Sequence, residues 1–398
     1  RKPGWLVEST NPCVTGDTLV YTKEGLKRIE ELIKISNANV LIDGRLLENS
    51  NFANVTKIVK TGVKTVYKLQ TREGYELKLT GDHKVLTTKG WVKALDLKID
   101  DEVLLSNRKG GFGTLGSENE GQVLGWLVGD GTMKASSAVL SFFGGEKQEL
   151  APKFAYMVNN IVNQTQFSDR KSNVGVINVD SRDEARVQSE KLWTYAFENG
   201  IRPGHKLIVP EKIITGSEDI QRGFLQALFT ADGHAAGTPD KGLSVRLTSI
   251  SEDLLRDVQR LLLNFGIVST IYKNRREEQD RLMPDGHGGN KFYRCKAYHD
   301  LVISKKNIEV FAKEVGFLSD YKNQRIIDWL RKLSRGPYKE RFVAKFEKLV
   351  EQGKEAVYDL TEPLTHSFIA NGIVVHNCGE QELYPFDACN LGSIFLTY

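Results

Sequence analysis

Two cysteines bracket most of this chain. Cys13 follows Asn11-Pro12, and Cys378 follows His376-Asn377. A thiolate is a strong nucleophile, and one held against a neighbouring peptide carbonyl can exchange that amide for a thioester. The four cysteines (Cys13, Cys295, Cys378, Cys389) form no CxxC pair and no zinc-ligand spacing. Reactive thiols at 13 and 378 imply a reducing, cytoplasmic setting. A second constellation lies between them. LGWLVGDGT (124–132) and LQALFTADGH (225–234) are apolar helical segments ending in Asp-Gly, and their acids, Asp130 and Asp232, stand 102 residues apart. A repeat in which each half brings one acid predicts a pseudo-twofold site. Chance likeness of two amphipathic helices is the alternative.

If residues 13–377 are deleted, the flanks join as STNP/CGEQELYPFDACNLGSI. That string resembles the active-site segment of a ribonucleotide reductase large subunit. The intervening 365 residues open CVTGDTLVYT and close HSFIANGIVVHN, and these edges resemble an intein, a segment that excises itself and ligates its flanks. The resemblance implies an unspliced precursor. Thr80-Gly81-Asp82-His83 matches the family's Thr-x-x-His motif, so Thr80 would orient the Pro12–Cys13 amide. His83 would protonate it, as suits a group whose ordinary pKa lies near neutrality. Cys378 would then take over the N-terminal flank, helped by Asp359 in VYDL. His366 would assist the final cleavage. Asn377 would cyclise onto its own carbonyl, activated by His376, to cut the bond to Cys378. No cofactor is implied for splicing. Pro12 departs from the commonest flank and stiffens the approach to the scissile carbonyl.

In the middle, LGWLVGDG and LQALFTADG resemble the paired motifs of LAGLIDADG homing endonucleases. The resemblance implies that Gly125, Gly129 and Ala231 permit close helix approach, and that Asp130 and Asp232 hold Mg2+ or Mn2+ for phosphodiester hydrolysis. Lys206, ahead of Ile208 and Pro210 with a spacing one residue longer than the family's, and Lys322, after VGFLSDY, would be the transition-state lysines; solvated surface lysines are the alternative. Residues 268–341 carry 17 basic and 10 acidic side chains, a surface for a polyanion or simply a solvated face. Within it Arg275, Arg276, Arg281, Lys291, Arg294 and Lys296 are suited to phosphate and guanine edges. His287 and Cys295 read as turn and packing residues. The implied partner is double-stranded DNA at the reductase gene lacking the insert, met by a monomer.

In the host flanks, Asn11, Cys378 and Glu380 match the motif around a radical-bearing cysteine, and Cys389 resembles one of a reducing pair. CGEQ followed by CNLGSI is most similar to the cobalamin-dependent class, which would make cobalamin the host's cofactor.

Those residues need positioning elements. From 13 to 108 the chain shows short alternating runs (TLVYT, RLLEN, NVTKIVKTG, TVYKLQT, YELKLT, KVLTT, EVLLS) between Gly, Asp and Asn turns, which predicts a compact β domain. Residues 109–121, with five glycines, read as a linker. Helical periods dominate 122–342, with strand, helix, strand pair and helix expected after each motif, and Ser251 as an N-cap. β character returns over 343–377. The expected fold is mixed, an all-β horseshoe-like splicing domain of the hedgehog-intein type with an inserted α/β pseudo-twofold endonuclease domain. Its divisions are host segments 1–12 and 378–398, splicing segments 13–108 and 343–377, the linker, and the endonuclease at 122–342. No apolar run has the ~18–20 residues of a membrane span. Two rivals are a DNA nuclease whose β part only grips DNA, and an inert insertion in a reductase fragment. The first predicts no dependence on Cys13 or Asn377, the second no change of mass on incubation.

Overall fold

The alternating runs of residues 14–104 fold as ten strands, all but one of them short, which join three from the C-terminal region in one 13-stranded antiparallel assembly. This computed structural model describes residues 12–164, 171–179, 183–238, 242–284, 290–332 and 338–377. Two long strands, Lys57–Thr71 and Val343–Thr361, form the spine. They pair from Thr71 opposite Phe346 to Lys57 opposite Thr361, with register shifts between Phe346 and Lys348, Glu351 and Gly353, and Val357 and Tyr358. Such bulges bend a strand and redirect its side chains. One expected strand is absent. Residues 44–46, which take in the first two of RLLEN, form a turn, because Asp43 accepts from the Arg45 backbone N–H at 2.9 Å and from its guanidinium at 2.7 and 2.6 Å. A local carboxylate–backbone bond of this kind competes directly with a strand ladder.

Two helices, Glu118–Val128 and Glu218–Asp232, pack along each other in the middle of the chain. Ser117 and Ser217 cap their N-termini, accepting from the N–H groups of Glu120 and Ile220. Their contact is glycine-dependent. A Cβ on Gly121 would stand 2.1 Å from the Ile220 carbonyl oxygen, on Gly125 2.4 Å from that of Phe224, and on Gly223 2.2 Å from that of Glu118. The obstacles are backbone atoms, so the helices themselves must separate. Gly125→Ala is therefore expected to cost about 1–3 kcal/mol or more. Calorimetry should record a melting point lowered by several degrees; an unchanged value would mean the helices are not this close.

Each motif helix is followed by a four-stranded sheet with the same order. The first runs Gly131–Met133, Ala138–Phe143, Glu184–Ser189, Val176–Val179, and the second Gly233–Thr238, Gly242–Ser249, Tyr298–Ile303, Ser269–Arg276. The succession is thus strand pair, helix, strand pair, helix, one strand more than expected, because Gly131–Met133 and Gly233–Thr238 start directly after the acids. The second half also carries an extra hairpin, Gln279–Pro284 with Asn290–Cys295. Ser251 caps the helix Glu252–Asn264 through Leu254 N–H at 3.2 Å.

The glycine-rich segment is not a loose tether. Its last four residues already belong to the first motif helix. Before them, Gly111 and Gly113 lie so close to the Thr22 and Thr215 carbonyls that a Cβ would meet oxygen at 2.2 and 2.1 Å. Lys109 reaches both Glu218 and Glu314, at 2.9 and 2.8 Å. The two lobes also share apolar packing. Leu263 and Val268 belong to the core of the 13-stranded lobe, while Tyr21, Leu26, Ile369 and Val374 join the core of the helical lobe.

Candidate functional site

The strand Val14–Thr15 is paired on both sides, Val14 opposite Tyr358 and opposite Leu79. That pairing draws Cys13, which is fully buried, to the end of the strand Glu76–Thr80. Thr80 then holds it twice. The Cys13 N–H donates to Thr80 Oγ1 at 3.0 Å, and the Thr80 N–H donates to the Cys13 carbonyl at 2.9 Å. The amide nitrogen of the Pro12–Cys13 bond is thereby fixed by a side chain, with a thiol two bonds from its Cα.

Three residues on, the chain turns back through the strand Lys84–Thr87, which pairs with Ile373–His376 (Val85 opposite Val375). His83 sits between the two ends. Its fully buried ring faces the backbone of Cys13 on one side and of His376 on the other, with neither nitrogen in a well-formed hydrogen bond. Burial pushes its pKa down to about 4. The reading of His83 as an acid near its ordinary pKa is revised accordingly. At neutral pH it rests as a neutral imidazole with one N–H, able to donate a hydrogen bond or take up a proton but carrying no charge.

The C-terminal end is equally constrained. His376 Nδ1 lies 2.5 Å from the Asn377 carbonyl oxygen. That oxygen can only accept, so Nδ1 carries the proton and polarises the Asn377 carbonyl. The Asn377 amide Nδ2 donates to the Glu362 carbonyl at 3.2 Å, and its backbone N–H to the His366 carbonyl at 2.9 Å. The side-chain nitrogen and the backbone carbonyl of Asn377 are therefore held separately. Burial lowers the His376 pKa, and Trp91 meets its ring edge-on, centroids 4.9 Å apart. His366 is exposed, adopts φ +53°, and its ring centroid lies 6.2 Å from that of His376. Asp359 is buried on the long C-terminal strand, close enough for its charge to act on Cys13. Asn11, Cys378, Glu380 and Cys389 lie outside the described residues.

Sequence reasoning missed Glu362 and Trp91. The buried Glu362 carboxylate binds the N–H groups of Leu364 and Thr365 and the Thr365 hydroxyl, at 2.5, 2.9 and 2.6 Å, and so shapes the loop that holds Asn377. The TEPLTH run carries that signal as a carboxylate with a hydroxyl three residues later. Trp91 left none.

The second cluster lies at the foot of the paired helices. A Cβ on Gly129 would stand 2.7 Å from Ala231 Cβ and 3.4 Å from Asp232 Oδ2, so the Asp232 carboxylate overhangs the end of the first motif. Asp130 is pushed up to about 6 by burial first, then by the charges of Asp232 and Glu146; Asp232 is raised as well, by burial. Both expected lysines arrive here, and neither is a solvated surface side chain. Lys206 Nζ donates to the Gly129 and Gly131 carbonyls, at 2.5 and 2.7 Å, and Lys322 donates to the Thr230 carbonyl while pairing with Glu146 at 3.2 Å. Each ammonium thus covers the carbonyl end of one motif helix, where the helix dipole favours a cation. Two desolvated, mutually repelling carboxylates fit a divalent cation. Among the described residues no group of three or more His, Cys, Asp or Glu is placed to hold one, so waters and substrate phosphate would complete its shell.

A stability consequence follows. A carboxyl whose folded pKa is raised binds its proton more tightly folded than unfolded, so its ionisation destabilises the fold as pH rises from the ordinary carboxylate range through about 6. Asp130→Asn should raise the melting temperature at pH 8 by a few degrees, with a ceiling of about 3 kcal/mol, and should give no gain at pH 4. Equal effects at both pH values would show that the charge is not the cause.

Of the basic residues, Arg275 and Arg276 lie on the exposed end of the strand Ser269–Arg276, and Lys291, Arg294 and Lys296 are exposed on or next to the extra hairpin. Arg294 pairs with Glu278 at 2.8 Å, and Arg275 and Arg276 rest over Tyr272 and Tyr298. The Arg281 and Cys295 side chains and His287 lie outside the described residues. No helix among the described residues is long and apolar enough to cross a membrane.

Residues 219–316 match the LAGLIDADG-like domain family. The chain is 33% identical, over 94% of its length, to the ribonucleoside-diphosphate reductase NrdEB subunit alpha of Bacillus subtilis, of which it spans 36%. It is also 26% identical, over 80% of its length, to the replication factor C small subunit of Methanocaldococcus jannaschii, of which it spans 17%. Among solved structures it is similar to a DnaB intein from Synechocystis (11% identity, 92% of this chain and 99% of that one, TM-score 0.31). It is similar too to the homing endonuclease I-DmoI in complex with DNA and calcium (20% identity, 50% of this chain and 88% of that one, TM-score 0.33).

Proposed function

We infer that this chain, a member of the family of inteins carrying a LAGLIDADG-like domain, excises residues 13–377, ligates its flanks, and cleaves double-stranded DNA with its central domain. One observation carries the splicing reading. Cys13 and His376-Asn377, at opposite ends of the insert, meet on the two sides of His83, each with its reacting amide or carbonyl already hydrogen-bonded. The comparisons support a mobile insert. Relatives bearing the names of a reductase and a replication factor share 94% and 80% of this chain, whereas the flanks amount to 33 residues. Most of the common stretch therefore falls within residues 13–377.

In the proposed sequence, Cys13 attacks the Pro12 carbonyl and Cys378 takes over the resulting acyl group, with Asp359 promoting loss of its proton. Asn377 Nδ2 then attacks its own carbonyl, with His376 donating to the oxygen and His366 assisting; this frees the Cys378 amine, which takes the acyl group from the Cys378 sulfur and so forms the Pro12–Cys378 peptide bond. In the nuclease, Asp130 and Asp232 would hold Mg2+ or Mn2+, which supplies an activated water and charge neutralisation at the leaving oxygen. Lys206 and Lys322 would offer positive charge beside the phosphate, and the basic strands would bind the reductase gene at the uninterrupted junction. The protein would act as a monomer in the cytoplasm. Because the chain spans about a third of its reductase relative, nucleotide reduction belongs to the ligated host, with Asn11, Cys378, Glu380 and Cys389 in its site and cobalamin as the cofactor the flank residues suggest.

The test is intact mass spectrometry of the freshly expressed chain in reducing buffer. A 365-residue insert and a 33-residue peptide joined Pro12–Cys378 are expected; a single undiminished mass after incubation would refute splicing.

A further inference from the structure

The bulge in the long strand pair has a chemical result. Val357 stands opposite Gly62 and Tyr358 opposite Lys60, which leaves Thr61 as the extra residue between them. Gly62 has φ +128° with open space where a Cβ would sit, so backbone conformation, not crowding, calls for glycine there. The bulge turns Thr61 inward. Its Oγ1 comes to 2.8 Å from Cys13 Sγ and also donates to the Val357 carbonyl at 3.2 Å. Lys64, three residues on, brings Nζ to 3.7 Å from the same sulfur.

We propose that Thr61 and Lys64 are catalytic residues for the first splicing step, Thr61 orienting the Cys13 thiol and Lys64 compensating the charge of its thiolate. The proposal rests on the splicing reading above. A hydroxyl has one proton. While it points at the Val357 carbonyl, the oxygen accepts the thiol S–H; once the sulfur is negative, the hydroxyl turns and donates to it. Burial holds the Cys13 thiol up at about 11, against the influence of Thr61 and Lys64, while the nearby Asp359 charge adds to the elevation and the neutral His83 faces the Cys13 backbone. At pH 7 roughly one thiol in ten thousand would be ionised, so a fixed ammonium at the sulfur acts where the deficit lies. In the step, the Sγ–C bond to Pro12 forms and the C–N bond to Cys13 breaks. The thiol proton ends on the released Cys13 amine, and no outside reactant is needed.

The experiment uses the full chain in an Asn377→Ala background, which stops resolution, and follows dithiothreitol-induced release of residues 1–12 against pH. Lys64→Met should slow release about tenfold at pH 7 and move the rise in rate to higher pH, because losing a cation raises the thiol pKa further. Lys64→Arg should stay near the parent. Thr61→Val should be slow at every pH and Thr61→Ser should restore the rate. Circular dichroism checks folding, and Lys64→Gln replaces the Met variant if that one does not fold. Parental pH profiles for both Lys64→Met and Thr61→Val would overturn the proposal. The Cys13→Ala control separates the two claims: release that persists there defeats the splicing reading itself, whereas silence there with indifferent Thr61 and Lys64 defeats only this inference.

Discussion

The Cys13→Ala chain should form no thioester at the N-terminal junction, with ligated product reduced at least about 10^3-fold. The side chain supplies the only sulfur at the N-terminal junction among the described residues, and removing a nucleophile removes the covalent route altogether. Thr80 would still grip the amide, but polarising a peptide bond with nothing to attack it does not cleave it. Asn377→Ala should behave differently. The Cys13 and Thr80 geometry lies on other strands and is untouched, so acyl transfer proceeds. The bond to Cys378 then stays intact for want of the Nδ2 that the Glu362 carbonyl holds. A branched or N-terminally cleaved species should accumulate, and denaturing electrophoresis with mass analysis will identify it. Normal ligation in either variant would sink the splicing mechanism.

The second large effect separates the two chemistries. Asp130→Asn/Asp232→Asn should abolish cleavage of DNA carrying the uninterrupted junction, with a loss of at least about 10^2-fold; each single variant should stop at nicking or fail. Nicked and linear products from a supercoiled plasmid give the readout. Splicing should persist in the same proteins, since none of Cys13, Thr80, His83, His376 or Asn377 hydrogen-bonds to either acid. A modest change in splicing rate is expected, because Leu263 and Val268, beyond the second motif, help fill the core of the splicing lobe. Full nuclease activity in the double variant would discard the acid pair. Splicing lost in both single variants, with the fold intact by circular dichroism, would discard the division of labour.

How much was legible from residues alone depends on the range of the interaction. Ser251 caps the helix whose start it announces, because a cap acts within three residues. The RLLEN run deceived, since a buried Asp43 two residues from Arg45 outweighed its apolar alternation. The glycines of 109–121 suggested slack, yet Gly111, Gly113 and Gly121 mark places where backbone meets backbone. Glycine composition cannot distinguish freedom from close approach.

The chain order and residue types by themselves determined the junction set, the two Asp-Gly motifs and the mixed fold, since covalent chemistry needs particular atoms and helices and strands have fixed periods. Only the tertiary structure decided the rest. It took the His83 ring away from water and so lowered its pKa to about 4. It brought Lys206 and Lys322 onto carbonyls beside the two acids, and it turned Thr61 toward sulfur by a one-residue bulge. Desolvation, charge proximity and side-chain direction are properties of what surrounds a residue, and here those surroundings come from elements distant in the chain.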